Sequence, residues 1–150
     1  MTEYTGAWAR TEAVEFLEDA TIPLRLATTT PAGHLWMVSL WFRHRDGALE
    51  CATGADADVV RYLRNDPGVA FEVSTNDPPY KGVRGRGTAS IAPDEDEDVL
   101  RALLRRYLGG TDSELARSLL SPDRREVRIR VEPAKVYSWD FTERMADAVE

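Results

Sequence analysis

One stretch near the middle of the chain reads Tyr80-Lys81-Gly82-Val83-Arg84-Gly85-Arg86-Gly87-Thr88-Ala89-Ser90-Ile91. Read with the two-residue period of a β-strand, it separates into two unlike faces. One face carries Lys81, Val83, Gly85, Gly87, Ala89 and Ile91. The opposite face carries Gly82, Arg84, Arg86, Thr88 and Ser90.

The glycines and the arginines of this strand each allow two interpretations. Glycine weakens a strand interior, so Gly85 and Gly87 predict either the close approach of a flat or bulky group or a bulge or bend. Arg84 and Arg86 are candidates for phosphate contact, because the planar guanidinium fits such groups. Alternatively, they are solvated or pair with nearby carboxylates. The strand by itself leaves both alternatives open.

The composition predicts a single domain over residues 1–150. A content of 43% hydrophobic and 30% charged residues is typical of a globular protein. No apolar run is long enough to span a bilayer, and residues 1–10 lack a basic start followed by an apolar block, so we expect a cytoplasmic protein with no membrane partner. The net charge of −7 argues against nucleic acid as a partner. Cys51 is the only cysteine, which excludes an internal disulfide.

Periodicity and turn signals predict a mainly β protein with flanking helices, an α+β fold. Helices are predicted over about 11–20 and 56–65, and a helical insert over about 94–120. Strands are predicted at 24–30, 34–45, 48–53, 69–74, 80–91, 126–131 and 136–141. Asp46-Gly47 is a strong signal for a hairpin. The order is that of a small antiparallel barrel of about seven strands with helices packed outside.

Catalytic motifs are sparse in this sequence. His34 and His44 flank the second predicted strand, and neither has a set of metal ligands close to it in the sequence. Neither the HExxH pair of zinc proteases nor the Gly-x-Ser-x-Gly elbow of hydrolases occurs. If the protein is an enzyme, its reactive group is therefore expected to be a cofactor, for which the protein supplies binding and orientation.

The order of these segments resembles the pyridoxamine 5′-phosphate oxidase-like, FMN-binding split-barrel proteins. The resemblance rests on Asp46-Gly47, on the segments 49–53, 60–67 and 83–87, and on Tyr137-Ser138-Trp139-Asp140 as the closing strand. It implies an antiparallel split β-barrel that forms a homodimer with two FMN sites at the subunit interface.

The resemblance also implies where a flavin would bind. It nominates Met37, Val38, Ser39, Leu40 and Trp41 as a shelf whose backbone holds the isoalloxazine ring, with Ala52 and Thr53 beside it. The mixed face of Met37, Ser39 and Trp41 suits an amphipathic ring, although Met and Trp on a strand also pack in plain cores. Trp139 either stacks near the flavin or is a core residue.

One element departs from the family. Where the family commonly has a basic residue that meets the FMN phosphate, this chain has Asp56-Ala57-Asp58-Val59. Carboxylates at a helix start repel a phosphate, while free N–H groups there attract one. Val59 remains a candidate contact in this element. The phosphate is then met by Arg61, Lys81, Arg84 or Arg86 of one subunit or its partner, or a different ligand such as a deazaflavin is preferred.

These observations lead to two functional hypotheses. The first is an FMN-dependent oxidoreductase that acts on a small-molecule substrate, with no side-chain nucleophile. The second is a non-catalytic sensor or carrier that binds a flavin or a deazaflavin, and the acidic Asp56 and Asp58 favour it.

Overall fold

The computed structural model describes residues 1–148, which form an antiparallel sheet flanked by helices. The first half contains β1 (Glu3–Gly6), α1 (Arg10–Asp19), β2 (Leu24–Thr29), β3 (Leu35–Leu40), β4 (Arg43–Arg45), β5 (Ala48–Gly54) and α2 (Asp58–Asn65). The second half contains β6 (Gly68–Ser74), β7 (Lys81–Pro93), a 3₁₀ turn (Glu95–Glu97), α3 (Asp98–Leu108), α4 (Glu114–Leu119) and β8 (Glu126–Asp140). None of these helices is long and apolar enough to cross a membrane.

The described strands form one eight-stranded sheet in the order β3-β2-β6-β7-β8-β5-β4, and β1 adds to β8 in parallel. The mainly β fold with flanking helices is confirmed, and β1 is the strand that the sequence analysis missed. The sheet does not close, since β3 and β4 lie at its opposite ends. Two residues, Trp41 and Phe42, join these end strands, so the arrangement is consistent with a split barrel.

Two predicted strand boundaries are wrong. The strand predicted at 34–45 breaks at Trp41 and Phe42, because the side chain of Phe42 is fully buried and its backbone contacts the hydroxyl of Tyr107. The two strands predicted on either side of Pro133 are one strand, β8. Pro133 is tolerated there because the pairing with β7 shifts register between Arg86 and Gly87.

Both interpretations of the glycines in β7 describe part of the structure. A bulge lies opposite Arg86 and Gly87, where the register shifts and Ala134 of β8 is the extra residue. The flat group that approaches Gly85 is the ring of Phe71, since a Cβ placed on Gly85 would lie 2.6 Å from Phe71 Cζ and against the carbonyl oxygen of Lys135. Gly85 therefore packs against the protein's own core.

The hydrophobic side chains form two clusters. The main core lies between the inner face of the sheet, α1 and α2, and includes Leu17, Val60 and Phe71. A smaller cluster of Leu100, Leu104 and Ala116 lies within the helical insert, which the structure builds as α3 and α4. The insert therefore packs around its own centre beside the barrel.

Candidate functional site

The predicted shelf strand β3 has one face on the core and one face exposed. Trp36, Val38 and Leu40 pack against the core, as the alternating pattern predicts. Met37 is 64% exposed on the opposite face, which we call the outer face of the sheet. The side chain of Val38 is thus turned away from any ligand on the outer face.

The backbone of β3 also has free hydrogen-bonding groups. The strand lies at the end of the sheet order, so one of its edges pairs with no strand of the described chain. Thr30 N–H donates to the His34 carbonyl at 2.8 Å, and hydrogen-bonded pairs alternate along an antiparallel ladder. The N–H and C=O groups of Met37 and Ser39 therefore point away from β2, toward the open edge.

A cavity of about 410 Å³ opens on the outer face beside Met37. Four basic side chains and one carboxylate line it, so we call it the basic groove. Its lining residues are Arg25, Ala27, Met37, Ala70, Phe71, Glu72, Arg84, Gly85, Arg86, Lys135 and Tyr137. Cross-strand pairing builds the floor, because Met37 lies opposite Ala27, Ala27 opposite Ala70 and Ala70 opposite Arg86.

Arg84 of the basic groove is held by stacking and not by an ion pair. The Arg84 guanidinium lies 4.5 Å from the ring centre of Tyr137 and 5.2 Å from that of Trp139. Within residues 1–148 neither Arg84 nor Arg86 forms an ion pair, whereas Lys135 contacts Glu3 at 3.7 Å. The predicted pair Arg84 and Arg86 thus keeps its charges available to an anion. Trp139 lies beside the groove as the stacking partner of Arg84.

The rest of the predicted shelf lines a second cavity, which we call the slot. It has a volume of about 280 Å³ and brings Ser39, Leu40 and Trp41 together with Ala52 and Thr53, as the resemblance implied. The insert forms its other side through Leu100, Leu103 and Leu119, and Pro23, Arg124 and Glu126 complete the lining.

Trp41 is fixed by the insert. Its ring stacks on that of Tyr107 with centres 5.2 Å apart and planes 10° apart. The Tyr107 hydroxyl accepts a hydrogen bond from Phe42 N–H at 3.2 Å and lies 3.0 Å from the Ile22 carbonyl, an acceptor for its proton. The insert therefore holds the end of the shelf through a defined contact.

The start of α2 faces a third, more polar cavity of about 570 Å³, lined by residues 53–57 and 123–125. Arg124 and Arg125 bring positive charge opposite Asp56, although Arg124 also pairs with Glu126 at 2.8 Å. Val59 is only 2% exposed and packs in the core, so its side chain does not reach this cavity.

Two predicted cations lie apart from the groove and the slot. Arg61 is exposed on α2, where it pairs with Asp58 at 3.1 Å. Lys81 lines a separate surface cavity with Trp8 and Asp140. The structure therefore brings together Met37, Arg84 and Arg86 but leaves these two outside.

The sequence of this chain matches the model of a known protein family. A family model described as pyridoxamine 5′-phosphate oxidase matches residues 9–140. This chain belongs to that family. No match was found among curated protein sequences.

Solved structures extend the likeness to this family's fold. The chain is similar to the conserved hypothetical protein Rv2991 from Mycobacterium tuberculosis, with 25% identity, a TM-score of 0.74 and coverage of 89% of this chain and 86% of that one. It is 26% identical to an F420 reductase, with a TM-score of 0.68 and coverage of 81% and 94%. A FAD-binding protein from Mesorhizobium loti, at 19% identity, has a TM-score of 0.63 with coverage of 87% and 93%, and shows the fold alone.

Neither Cys51 nor His44 of this family member lines the groove or the slot. Burial, and secondarily Glu50, raises the pKa of the Cys51 thiol to about 12, so that thiol stays protonated and unreactive. Burial lowers the pKa of His44, and His44 lines neither cavity. No group of three His, Cys, Asp or Glu side chains in residues 1–148 is placed to hold a metal.

Several lining residues were missed by the sequence analysis. Arg25 and Lys135 reach the basic groove from β2 and β8. Their place in the groove depends on which residues they pair with across the sheet, and the sequence does not show that pairing. The consecutive Arg124-Arg125 before the last strand was a visible basic signal. Leu119 was not predictable as a lining residue, because an apolar residue on a helix indicates packing in general and not a particular cavity.

Proposed function

We propose that this chain is a flavin-dependent oxidoreductase that works as a homodimer. In this proposal the flavin ring lies against the open edge of β3, and its phosphate enters the basic groove. The observation that carries the proposal is that Arg84 and Arg86, without ion-pair partners in residues 1–148, line one cavity with Met37. A bound flavin would supply the redox chemistry, which the chain's own side chains do not.

The residues fit the two ends of a flavin. The backbone N–H and C=O groups of Met37 and Ser39 at the open edge match the donors and acceptors along the polar edge of an isoalloxazine ring. The arginines match a phosphate, since charge-assisted hydrogen bonds from guanidinium are strong and directional. The protein's part is to bind and orient the ring and to leave one of its faces open to a small-molecule substrate.

The homodimer is supported by apolar groups on the outer face. Leu35 is 88% exposed and Met37 is 64% exposed on one strand, and Tyr137 is 39% exposed across the groove. Large apolar side chains clustered in this way mark association surfaces. A second copy on the outer face would cover them and shield the basic groove from water.

Replacing Leu35 by Asp is expected to make the protein monomeric at micromolar concentration, because a carboxylate would be buried at the interface without a partner. Leu35 lines neither the groove nor the slot, so the substitution removes no side chain from either cavity. Analytical ultracentrifugation measures the outcome. Leu108→Asp is the matched control, since Leu108 is 39% exposed at the end of α3 and should leave the dimer intact. A wild-type protein that is monomeric while saturated with FMN would exclude the dimer.

FMN is the cofactor we propose, and a deazaflavin is the alternative. The likeness to an F420 reductase favours the deazaflavin. The carboxylates of Asp56 and Asp58 beside α2 favour a ligand whose phosphate lies elsewhere, and they also support the second hypothesis, a non-catalytic carrier.

Titration with each cofactor followed by an electron donor tests these alternatives. Purified protein is mixed with FMN or with F420, binding is measured by absorbance and fluorescence, and NADPH or NADH is added without oxygen. Binding followed by bleaching of the FMN band supports the oxidoreductase. Binding without reduction by either donor supports the carrier. A protein that binds neither cofactor contradicts both hypotheses.

A further inference from the structure

The helical insert gives the slot one apolar side that the barrel does not provide. Resting on the proposed function, we propose that Leu119, with Leu100 and Leu103, recognises the ring of the bound flavin and not its phosphate. We call these three residues the leucine wall. They make the insert a specificity element for this site.

The leucine wall and the barrel line the same slot. Ser39, Leu40 and Trp41 come from the shelf strand and its end, and the three leucines come from the insert. A slot of about 280 Å³ between a strand backbone and aliphatic side chains suits a flat, largely apolar group. The isoalloxazine ring is the part of a flavin with that shape.

The charges in the slot argue against a phosphate there. The charged side chains of its lining are Arg124 and Glu126, and they pair with each other at 2.8 Å. The pair leaves no net charge to attract an anion. The basic groove, which has four basic side chains, is where the phosphate finds its charge partners. Ring and phosphate are therefore recognised by different elements of the chain.

Two of the three leucines are fixed in place. Leu100 and Leu103 are 4% and 1% exposed, and Asp94 holds the start of α3 by accepting hydrogen bonds from Val99 N–H and Leu100 N–H, each at 3.0 Å. Leu119 is only partly buried at the end of α4 and packs on the small insert cluster. Because it is less buried than Leu100 and Leu103, its replacement alters the slot with the smallest loss of buried packing.

Leu119→Ala tests the leucine wall with two probes, FMN and riboflavin, which share the ring and differ in the phosphate. We expect both to bind roughly 10-fold more weakly, as expected for apolar groups lost from a pocket. Leu115→Ala is the matched control, since Leu115 is 50% exposed on the same helix and outside the slot, and should bind as wild type. Leu119→Trp should weaken both probes further by filling the slot. Thermal unfolding confirms that each variant is folded.

The outcomes separate this proposal from the one on which it rests. Equal loss for both probes in the Leu119 variants alone supports the leucine wall. Wild-type affinity in both Leu119 variants, with normal flavin binding by the wild-type protein, overturns the wall and leaves the proposed function standing. A loss confined to FMN also overturns it, because the insert would then act on the phosphate. A wild-type protein that binds neither probe and does not bind F420 either overturns the proposed function and the wall together.

Discussion

Replacing Arg84 and Arg86 together by Gln is expected to weaken FMN binding roughly 100-fold, while riboflavin binding stays within about threefold of wild type. Both guanidinium groups line the basic groove without an ion-pair partner in residues 1–148, so each is free to donate to a phosphate. Hydrogen bonds to a charged group each contribute about 1.5–3 kcal/mol. Riboflavin has no phosphate to accept these hydrogen bonds, so its binding does not depend on the two arginines. Isothermal titration with the two ligands gives the ratio directly.

One single variant and two matched controls define the site further. Arg86→Gln alone is expected to weaken FMN binding roughly 10-fold. The loss is smaller than in the double variant because Arg84 keeps its stack on Tyr137 and Trp139. Arg61→Gln and Lys81→Gln remove the same charge elsewhere on the surface and should leave the ratio of the two affinities unchanged. Equal losses of FMN and riboflavin in the double variant would place the phosphate outside the groove.

The separate sites proposed for the flavin ring, at β3, and for the phosphate, at the arginines of β7, follow from the open end of the sheet. β3 is an end strand, so one edge of its backbone is free, and the outer face carries the arginines of β7, which β2 and β6 separate from β3. A closed barrel would pair the edge of β3 and leave no such backbone groups. The split in the barrel therefore creates the candidate site, and the insert narrows it on one side.

Local signals in the sequence predicted most of the elements. Asp46 and Gly47 both have positive φ, at 51° and 77°, as a tight hairpin requires, and the alternating residues of β3 face the core as expected. The acidic start and apolar stripe of 94–108 indicated a helix, and α3 is there. These features depend on residues close together in the chain.

Features that depend on distant partners were not predictable from one sequence. The break at Phe42 depends on the hydroxyl of Tyr107, which is 65 residues away. The continuity of β8 through Pro133 depends on the shift in register between β7 and β8. For the candidate site, the two-residue period of β7 placed Arg84 and Arg86 on one face and Lys81 on the other, and the resemblance nominated Met37. That Met37 and the two arginines line one cavity depends on the strand register, which the sequence does not show.

Gly85→Ala is expected to lower the free energy of unfolding by about 3 kcal/mol or more, which is a large part of the stability of a small domain. The added Cβ would lie 2.6 Å from Phe71 Cζ and against the Lys135 carbonyl oxygen. Phe71 is 3% exposed in the main core and cannot swing into solvent, and the carbonyl belongs to the neighbouring strand. Urea unfolding followed by tryptophan fluorescence measures the loss.

Gly110→Ala provides the control, because no atom lies within 4 Å of a Cβ placed there and the change should stay within about 0.5 kcal/mol. Adding Phe71→Leu to Gly85→Ala should not restore stability, since shortening the ring leaves the backbone carbonyl in place and removes core volume. A Gly85→Ala protein as stable as wild type would mean that β7 and β8 lie further apart than in the structure. Arg84 and Arg86 flank Gly85, so in that case both arginines would also lie elsewhere relative to Met37. The support for a shared phosphate site would then be weaker.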